Sequence, residues 1–158
     1  MPLLLSLAAS TVMLCAPFHD EAADLYGYRA CDGKVGLAAT LTVADSFNAC
    51  GIAAVLDEKG WRYINRKGET LLRPKIMDNG PDPFSEGLAR FVKDGKYGFF
   101  DECGAVVIAA QYDFALPFEA GKAKAGYDCV FPPVPPWGEY RSYECKRWIE
   151  LKHPVAGK

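Results

Sequence analysis

Apolar and polar residues alternate in short runs along most of this chain, and the runs stop at glycines and charged residues. Leu88-Ala89-Arg90-Phe91-Val92-Lys93 is one such run. Asp94-Gly95 follows it, a dipeptide suited to a two-residue hairpin turn because glycine accepts positive φ without steric cost. Lys96 to Asp101 then reads as an aromatic-rich return strand, Glu102-Cys103-Gly104 as a turn, and Ala105 to Ile108 as a third strand. Glu58-Lys59-Gly60 and Arg66-Lys67-Gly68 punctuate the preceding stretch in the same way. No window from residue 25 onward holds an i, i+3, i+4, i+7 stripe long enough for a helix. The pattern predicts an all-β protein built as a meander.

The meander is repeated. Gly51-Ile52-Ala53, Trp61, Tyr63, Ile64, Asn65, Gly68, Leu71 and Leu72 match Gly87-Leu88-Ala89, Tyr97, Phe99, Phe100, Asp101, Gly104, Val107 and Ile108 at an offset of about 36 residues. Phe47, Phe84 and Phe118 each precede a glycine of the pattern (Gly51, Gly87, Gly121), so a third copy opens at Phe118. Pro132-Pro133-Val134-Pro135-Pro136 interrupts that copy, after which Trp137-Gly138-Glu139-Tyr140 can stand in for Tyr97-Gly98-Phe99-Phe100. Upstream, Asp32-Gly33-Lys34-Val35-Gly36-Leu37 echoes Asp94-Gly95-Lys96-Tyr97-Gly98-Phe99. The expectation is two full units, 47–83 and 84–117, between degenerate ones at 26–46 and 118–150, stacked into one twisted β array over residues 24–158. A three-stranded unit cannot bury both its faces alone, so neighbours must cover it, and the recurring aromatics supply the core.

Phe84-Ser85-Glu86-Gly87-Leu88-Ala89, Gly95-Lys96-Tyr97-Gly98-Phe99-Phe100-Asp101, Gly104 and Gln111-Tyr112-Asp113 together resemble the bacterial WG repeat, also called the KWG repeat. The resemblance is close over 47–121 and loose over 30–46 and 122–150. The Trp-Gly pair reads Trp61-Arg62 and Tyr97-Gly98 in the two full units and is literal only at Trp137-Gly138. The resemblance implies a bacterial β-repeat scaffold without established catalytic residues, often found in envelope or exported proteins.

Half of the 158 residues are hydrophobic, enough for a continuous core, and the formal net charge is −2. No run of more than two adjacent Lys or Arg provides a basic face for nucleic acid or anionic lipid. Leu3 to Phe18 is an uncharged apolar run of about 16 residues, short for a membrane span of roughly 20 but suited to a leader. Residues 1–23 therefore read as a signal peptide or an N-terminal apolar segment. Six cysteines in a chain of this size point to an oxidising compartment, periplasmic or secreted, with the cytoplasm as alternative. Cys129–Cys145 is the first expected bridge and Cys31–Cys50 the second, with Cys103, at a turn tip, the candidate free thiol.

The chain carries no strong chemical motif. Its two histidines, His19 and His153, lie near opposite ends, and the cysteines lack metal-knuckle spacing, so neither a metal site nor a cofactor is expected. Phosphate loops, dinucleotide fingerprints and nucleophile elbows are absent from the sequence. Asp57-Glu58, Asp101-Glu102 and Asp113 are the carboxylates a glycosidase would need, yet they fall at strand ends and turns where solvated acids are common. The expectation is a non-catalytic binding module that recognises another protein. An immunity or inhibitor protein for a toxin or envelope enzyme is the alternative, and an envelope polysaccharide hydrolase a further one. The expected recognition element is Pro132, Pro133, Val134, Pro135, Pro136 and Trp137, a stiff excursion with little entropy to lose on docking.

Overall fold

In the computed structural model, which describes residues 12–131 and 143–155, every regular element is a strand. In chain order they are β1 (Leu14–Asp20), β2 (Leu25–Ala30), β3 (Val35–Leu41), β4 (Val43–Ala44), β5 (Ile52–Asp57), β6 (Gly60–Asn65), β7 (Thr70–Leu72) and β8 (Ile76–Met77). There follow β9 (Gly80–Pro81), β10 (Leu88–Lys93), β11 (Lys96–Asp101), β12 (Val106–Tyr112), β13 (Phe114–Ala115), β14 (Lys122–Val130) and β15 (Glu144–Lys152). The sheets run in sequence order: β1-β2-β3, β4-β5-β6-β7, β8-β9, β10-β11-β12 and β13-β14-β15. The chain groups into two compact bodies, one up to Gly60 with Ile64–Thr70, the other Trp61–Tyr63 with Leu71 onward.

Register defines the repeat more sharply than sequence. In the third unit Tyr97 lies opposite Tyr112, Phe99 opposite Ile108 and Phe100 opposite Val106. In the first unit Tyr26 lies opposite Leu41, Tyr28 opposite Leu37 and Arg29 opposite Val35, with the same two irregularities. Both of these central strands carry an aromatic-Gly-aromatic triplet, and its glycine makes room for a ring from the preceding strand. A methyl group at Gly98 would stand 2.6 Å from both the Phe91 ring and the Ile108 carbonyl oxygen, and Gly27 is crowded in the same way by Phe18 and Leu37.

The counterpart of Tyr97-Gly98-Phe99 in the first unit is thus Tyr26-Gly27-Tyr28, not Val35-Gly36-Leu37. The Asp32-Gly33-Lys34 echo arises from turn chemistry. Gly33, at φ 87°, ends a turn closed by its N–H donating to Ala30 O, just as Gly104 closes on Asp101 and Gly68 on Asn65. Where that turn starts with Asp101 or Asn65, the side-chain oxygen also accepts two amides, at 2.9 to 3.0 Å. The first unit therefore begins at Leu14, whose side chain is 3% exposed in the core. Residues 14–20 of the expected leader are a strand of the first sheet, and residues 1–11 lie outside the described range.

Each unit contributes a ring from its central strand to meet the phenylalanine of the following turn. Tyr28 meets Phe47 at 5.1 Å between centroids, Tyr63 meets Phe84 at 6.4 Å and Phe99 meets Phe118 at 4.9 Å. Tyr28, Phe99 and Phe118 are fully buried, a contribution of roughly 1.5–3 kcal/mol each. In the first body Tyr28 and Leu41 pack with Ala53, Val55 and Ile64; in the second, Phe99 and Tyr112 pack with Ala123 and Ala125. The hairpin turns behave as the dipeptides require: Asp94-Gly95, Glu86-Gly87 and Ala120-Gly121 all hold two successive positive φ angles.

The third unit contains an insertion, the hairpin β8–β9, whose base is closed by Asp82 N–H donating to Lys75 O at 2.8 Å. There the Asp82 carboxylate is buried against Arg90, taking its backbone N–H and Nε at 2.9 Å and Nη2 at 2.5 Å, while Nη1 donates to Ala115 O at 2.8 Å. The paired charges replace each other's lost water, so the ion pair fixes where the insertion leaves the sheet.

No described cysteine is free. Cys129 is bonded to Cys145 across β14–β15 and Cys15 to Cys31 across β1–β2, each closing 16 residues. The expected Cys31–Cys50 bridge is thus replaced: the β1–β2 pairing is irregular between Leu14 and Ala16, and Cys15, at that irregularity, comes within 4.9 Å of Cys31 between Cα atoms. Cys50 and Cys103 are also disulfide-bonded, so Cys103 is not a free thiol. Gly126 is required at this hairpin, because a Cβ there would collide with both sulfurs of the Cys129–Cys145 bridge.

Candidate functional site

The fourth unit departs from the plan in a way that exposes chemistry. Its first strand, β14, follows the turn at Glu119–Lys122 as β10 follows the turn at Ser85–Leu88. Ala115 lies opposite Ala125 as Pro74 lies opposite Phe91, so Lys122 and Lys124 occupy the positions of Leu88 and Arg90. β14 in turn sets Trp148 opposite Gly126 and Glu150 opposite Lys124, the places of Tyr97 and Phe99. Positions buried in the third unit are charged or exposed here. Trp148 is 41% exposed where Tyr97 is 7% exposed. Lys122 Nζ and Glu150 Oε1 form an ion pair at 2.9 Å with both side chains half open to water.

A shallow groove of about 300 Å3 lies on this surface, lined by Leu116, Pro117, Ala123 and the side chains of Glu119, Lys122, Lys124 and Glu150. Beside it runs a row of rings. Phe114 stacks on Tyr143 at 4.2 Å, meets Trp148 edge-on at 6.1 Å, and packs on Tyr97 at 5.5 Å. Phe131, 44% exposed, tilts against Tyr143 at 4.7 Å. Burial, and then a hydrogen bond with Tyr143, push the Tyr97 phenol well above its ordinary value. On the other side of β15, Arg147 lies over the Tyr127 ring at 4.0 Å. Asp113 binds the Lys96 ammonium and accepts the Cys129 amide at 3.3 Å, and the lysine holds its carboxyl below the usual range.

The sequence-derived candidates fall as follows. Pro132 to Trp137 lie outside the described residues; Phe131 and Tyr143, on either side of that stretch, are in contact. The position of Tyr97 in the fourth unit, assigned from sequence to Trp137, is held by Trp148. Asp57 and Asp101 each use a carboxylate oxygen on turn amides, and Asp113 joins strands. His19 stacks on Tyr26 at 4.6 Å and bonds Asp24 at 2.9 Å. His153 bonds Glu86 O at 2.8 Å and packs edge-on to Phe118, tying the residue that follows β15 to the third unit's turn. Among the described residues no cluster of three His, Cys, Asp or Glu side chains is placed to hold a metal ion. No described helix is long and apolar enough to cross a membrane. Sequence reasoning did not single out Trp148 or the pairing of Asp82 with Arg90; the register of Trp148 against Gly126 becomes visible only once β14 and β15 are paired.

Strands in sequence order, register repeated from unit to unit and rings meeting turn phenylalanines define a disulfide-bonded all-β repeat protein. The model of the WG containing repeat matches residues 61–97 and 97–126, so its period starts on the central-strand aromatics Trp61 and Tyr97. Residues 61–126 of the chain are therefore WG repeats. Comparison with curated proteins and with solved structures gives no match.

Proposed function

We propose that this chain is a non-catalytic binding module that works outside the cytoplasm and recognises another protein. The observation that carries the reading is the outer surface of the fourth unit. There Lys122, Lys124, Glu150 and Trp148 replace residues buried one unit earlier, and a groove with an apolar floor and charges of both signs results. Mixed charges around exposed aromatic area are the composition of a protein-recognition surface rather than of a nucleic-acid or lipid one. The disulfides of Cys15–Cys31 and Cys129–Cys145 suit an oxidising compartment. Of the carboxylates a hydrolase would use, Asp57, Asp101 and Asp113 are engaged in turn and strand hydrogen bonds, which favours binding over catalysis.

The test is retention of envelope proteins on the immobilised, oxidised protein. It is compared with a variant carrying Lys122→Ala, Lys124→Ala and Trp148→Ala, and with one in which Pro132–Pro136 are replaced by Gly/Ser. A partner retained at fixed stoichiometry and lost with the triple variant supports the reading. Equal recovery by all three proteins rejects this surface, and recovery lost only with the second variant moves recognition to the Pro-rich stretch.

A further inference from the structure

Three of the four units pair their central strand on both edges: β2 lies between β1 and β3, β6 between β5 and β7, and β11 between β10 and β12. β15 occupies the same place in the fourth unit, yet among the described residues it is the last strand of its sheet. Among the described residues no strand lies beside the outer row of backbone N–H and C=O groups along Glu144–Lys152. Unpaired edges of this length are templates for another strand, and proteins usually blunt them with scattered charges.

The charges on β15 are not scattered. Alternate residues of a strand share a face; Glu144, Lys146, Trp148, Glu150 and Lys152 share one and are all exposed, while the other face exposes Arg147 alone. Turned antiparallel against itself about Trp148, this strand sets Glu144 opposite Lys152 and Lys146 opposite Glu150, each pair formed twice by symmetry, with Trp148 opposite Trp148. Every charged pair on that face is attractive. A two-residue slip one way brings Lys146 against Lys152, and the other way Glu144 against Glu150. Parallel pairing in register sets each charge against its own copy. Like charges directly opposite are destabilising and unlike charges stabilising, so the pattern selects one register in one orientation.

We infer that β15 is a self-complementary edge through which two copies of this chain associate, antiparallel and two-fold symmetric, as β13-β14-β15 continued by β15-β14-β13 of the second copy. A two-fold axis through Trp148 makes the contact isologous and closed, so it yields a dimer and no fibre. It also covers the exposed indole with its own counterpart. Glu150 serves both Lys122 of its own chain and the opposing Lys146, since its side chain is half exposed and has acceptor capacity beyond one ammonium. One strand edge buries less than the roughly 1,200–2,000 Å2 of a standard interface, so association is expected at micromolar concentrations.

The test is sedimentation of the purified, oxidised, full-length protein over a concentration series, with amide exchange of residues 144–152 followed in parallel. Concentration-dependent dimerisation with slowed exchange in 144–152 is expected. Lys146→Glu alone and Glu150→Lys alone should each weaken the dimer about tenfold or more, because each turns two attractive pairs repulsive. The double variant K146E/E150K restores the pairing and should recover the dimer. Since the swap reverses both charges without altering composition, a loss of folding would show in the double variant as well and cannot mimic the rescue. A protein that stays monomeric into the millimolar range overturns the inference, as does a dimer indifferent to both single changes or singles that the double fails to rescue. This readout uses the purified chain alone, so it stands or falls separately from capture of a different protein.

Discussion

At the scale of single residues the fold depends on a few positions where one atom more or less decides. Gly98 is one, with the Phe91 ring and the Ile108 carbonyl both at 2.6 Å from where a methyl would be placed. Gly98→Ala is expected to destabilise by about 1–3 kcal/mol, measured by urea unfolding of the oxidised protein. The second unit avoids this crowding in another way: Val55 stands in the place of Phe91, and there the glycine is Arg62. Tyr28 is another such position, fully buried with its hydroxyl donating to Asp45 O at 2.6 Å. Tyr28→Phe should cost about 0.5–1.5 kcal/mol at neutral pH. Burial raises the Tyr28 and Tyr97 phenols above their ordinary value. The unfolded chain therefore ionises first, and the stabilisation is complete below about pH 10 and lost as pH rises beyond it. Thermal melts should show a decline above that pH that is shallower in Tyr28→Phe. Asp113 has the opposite sign: its depressed value means a contribution present above about pH 4 and lost as pH falls through the folded value, a loss absent from Asp113→Asn.

Turn chemistry, at the scale of elements, was the part of the fold most legible in the sequence. Asp94-Gly95 specified a two-residue hairpin, and Asn65-to-Gly68 and Asp101-to-Gly104 specified matching turns, because each requirement is local. The phase of the outer units was less legible for the same reason. Asp32-Gly33-Lys34 and Asp94-Gly95-Lys96 are alike as turn sequences but join different pairs of strands. Only long-range pairing, Tyr26 with Leu41 against Tyr97 with Tyr112, separates them. The buried Asp82–Arg90 pair was not legible, since nothing local distinguishes Arg90 from a surface arginine of an alternating strand. Removing one partner leaves a buried charge alone, so Arg90→Met should cost about 3–5 kcal/mol. Adding Asp82→Leu should recover part of that loss. Full additivity of the two changes in denaturant titrations would show that the two side chains do not act as a pair.

For the whole molecule, the disulfides give a directional prediction. Cys15–Cys31 ties the first described hairpin and Cys129–Cys145 the last, the outer units of the described repeats, and the outer units of a linear repeat array open most readily. Each closes 16 residues, a constraint worth about 3 kcal/mol in the chain-entropy account. Replacing Cys129 and Cys145 by Ser should speed amide exchange in β14 and β15 well before β10 and β11, whose layers rest on Phe99, Phe100 and Phe91. Uniform acceleration throughout the second body would contradict that order. The β8–β9 hairpin carries a different consequence. Its root is clamped by the Lys75–Asp82 hydrogen bond and by Arg90, while Ile76 and Met77, its first strand, are about 40% exposed. Foreign sequence grafted in place of residues 76–81 would be displayed on a rigid stem, which makes this repeat a natural carrier for engineered loops.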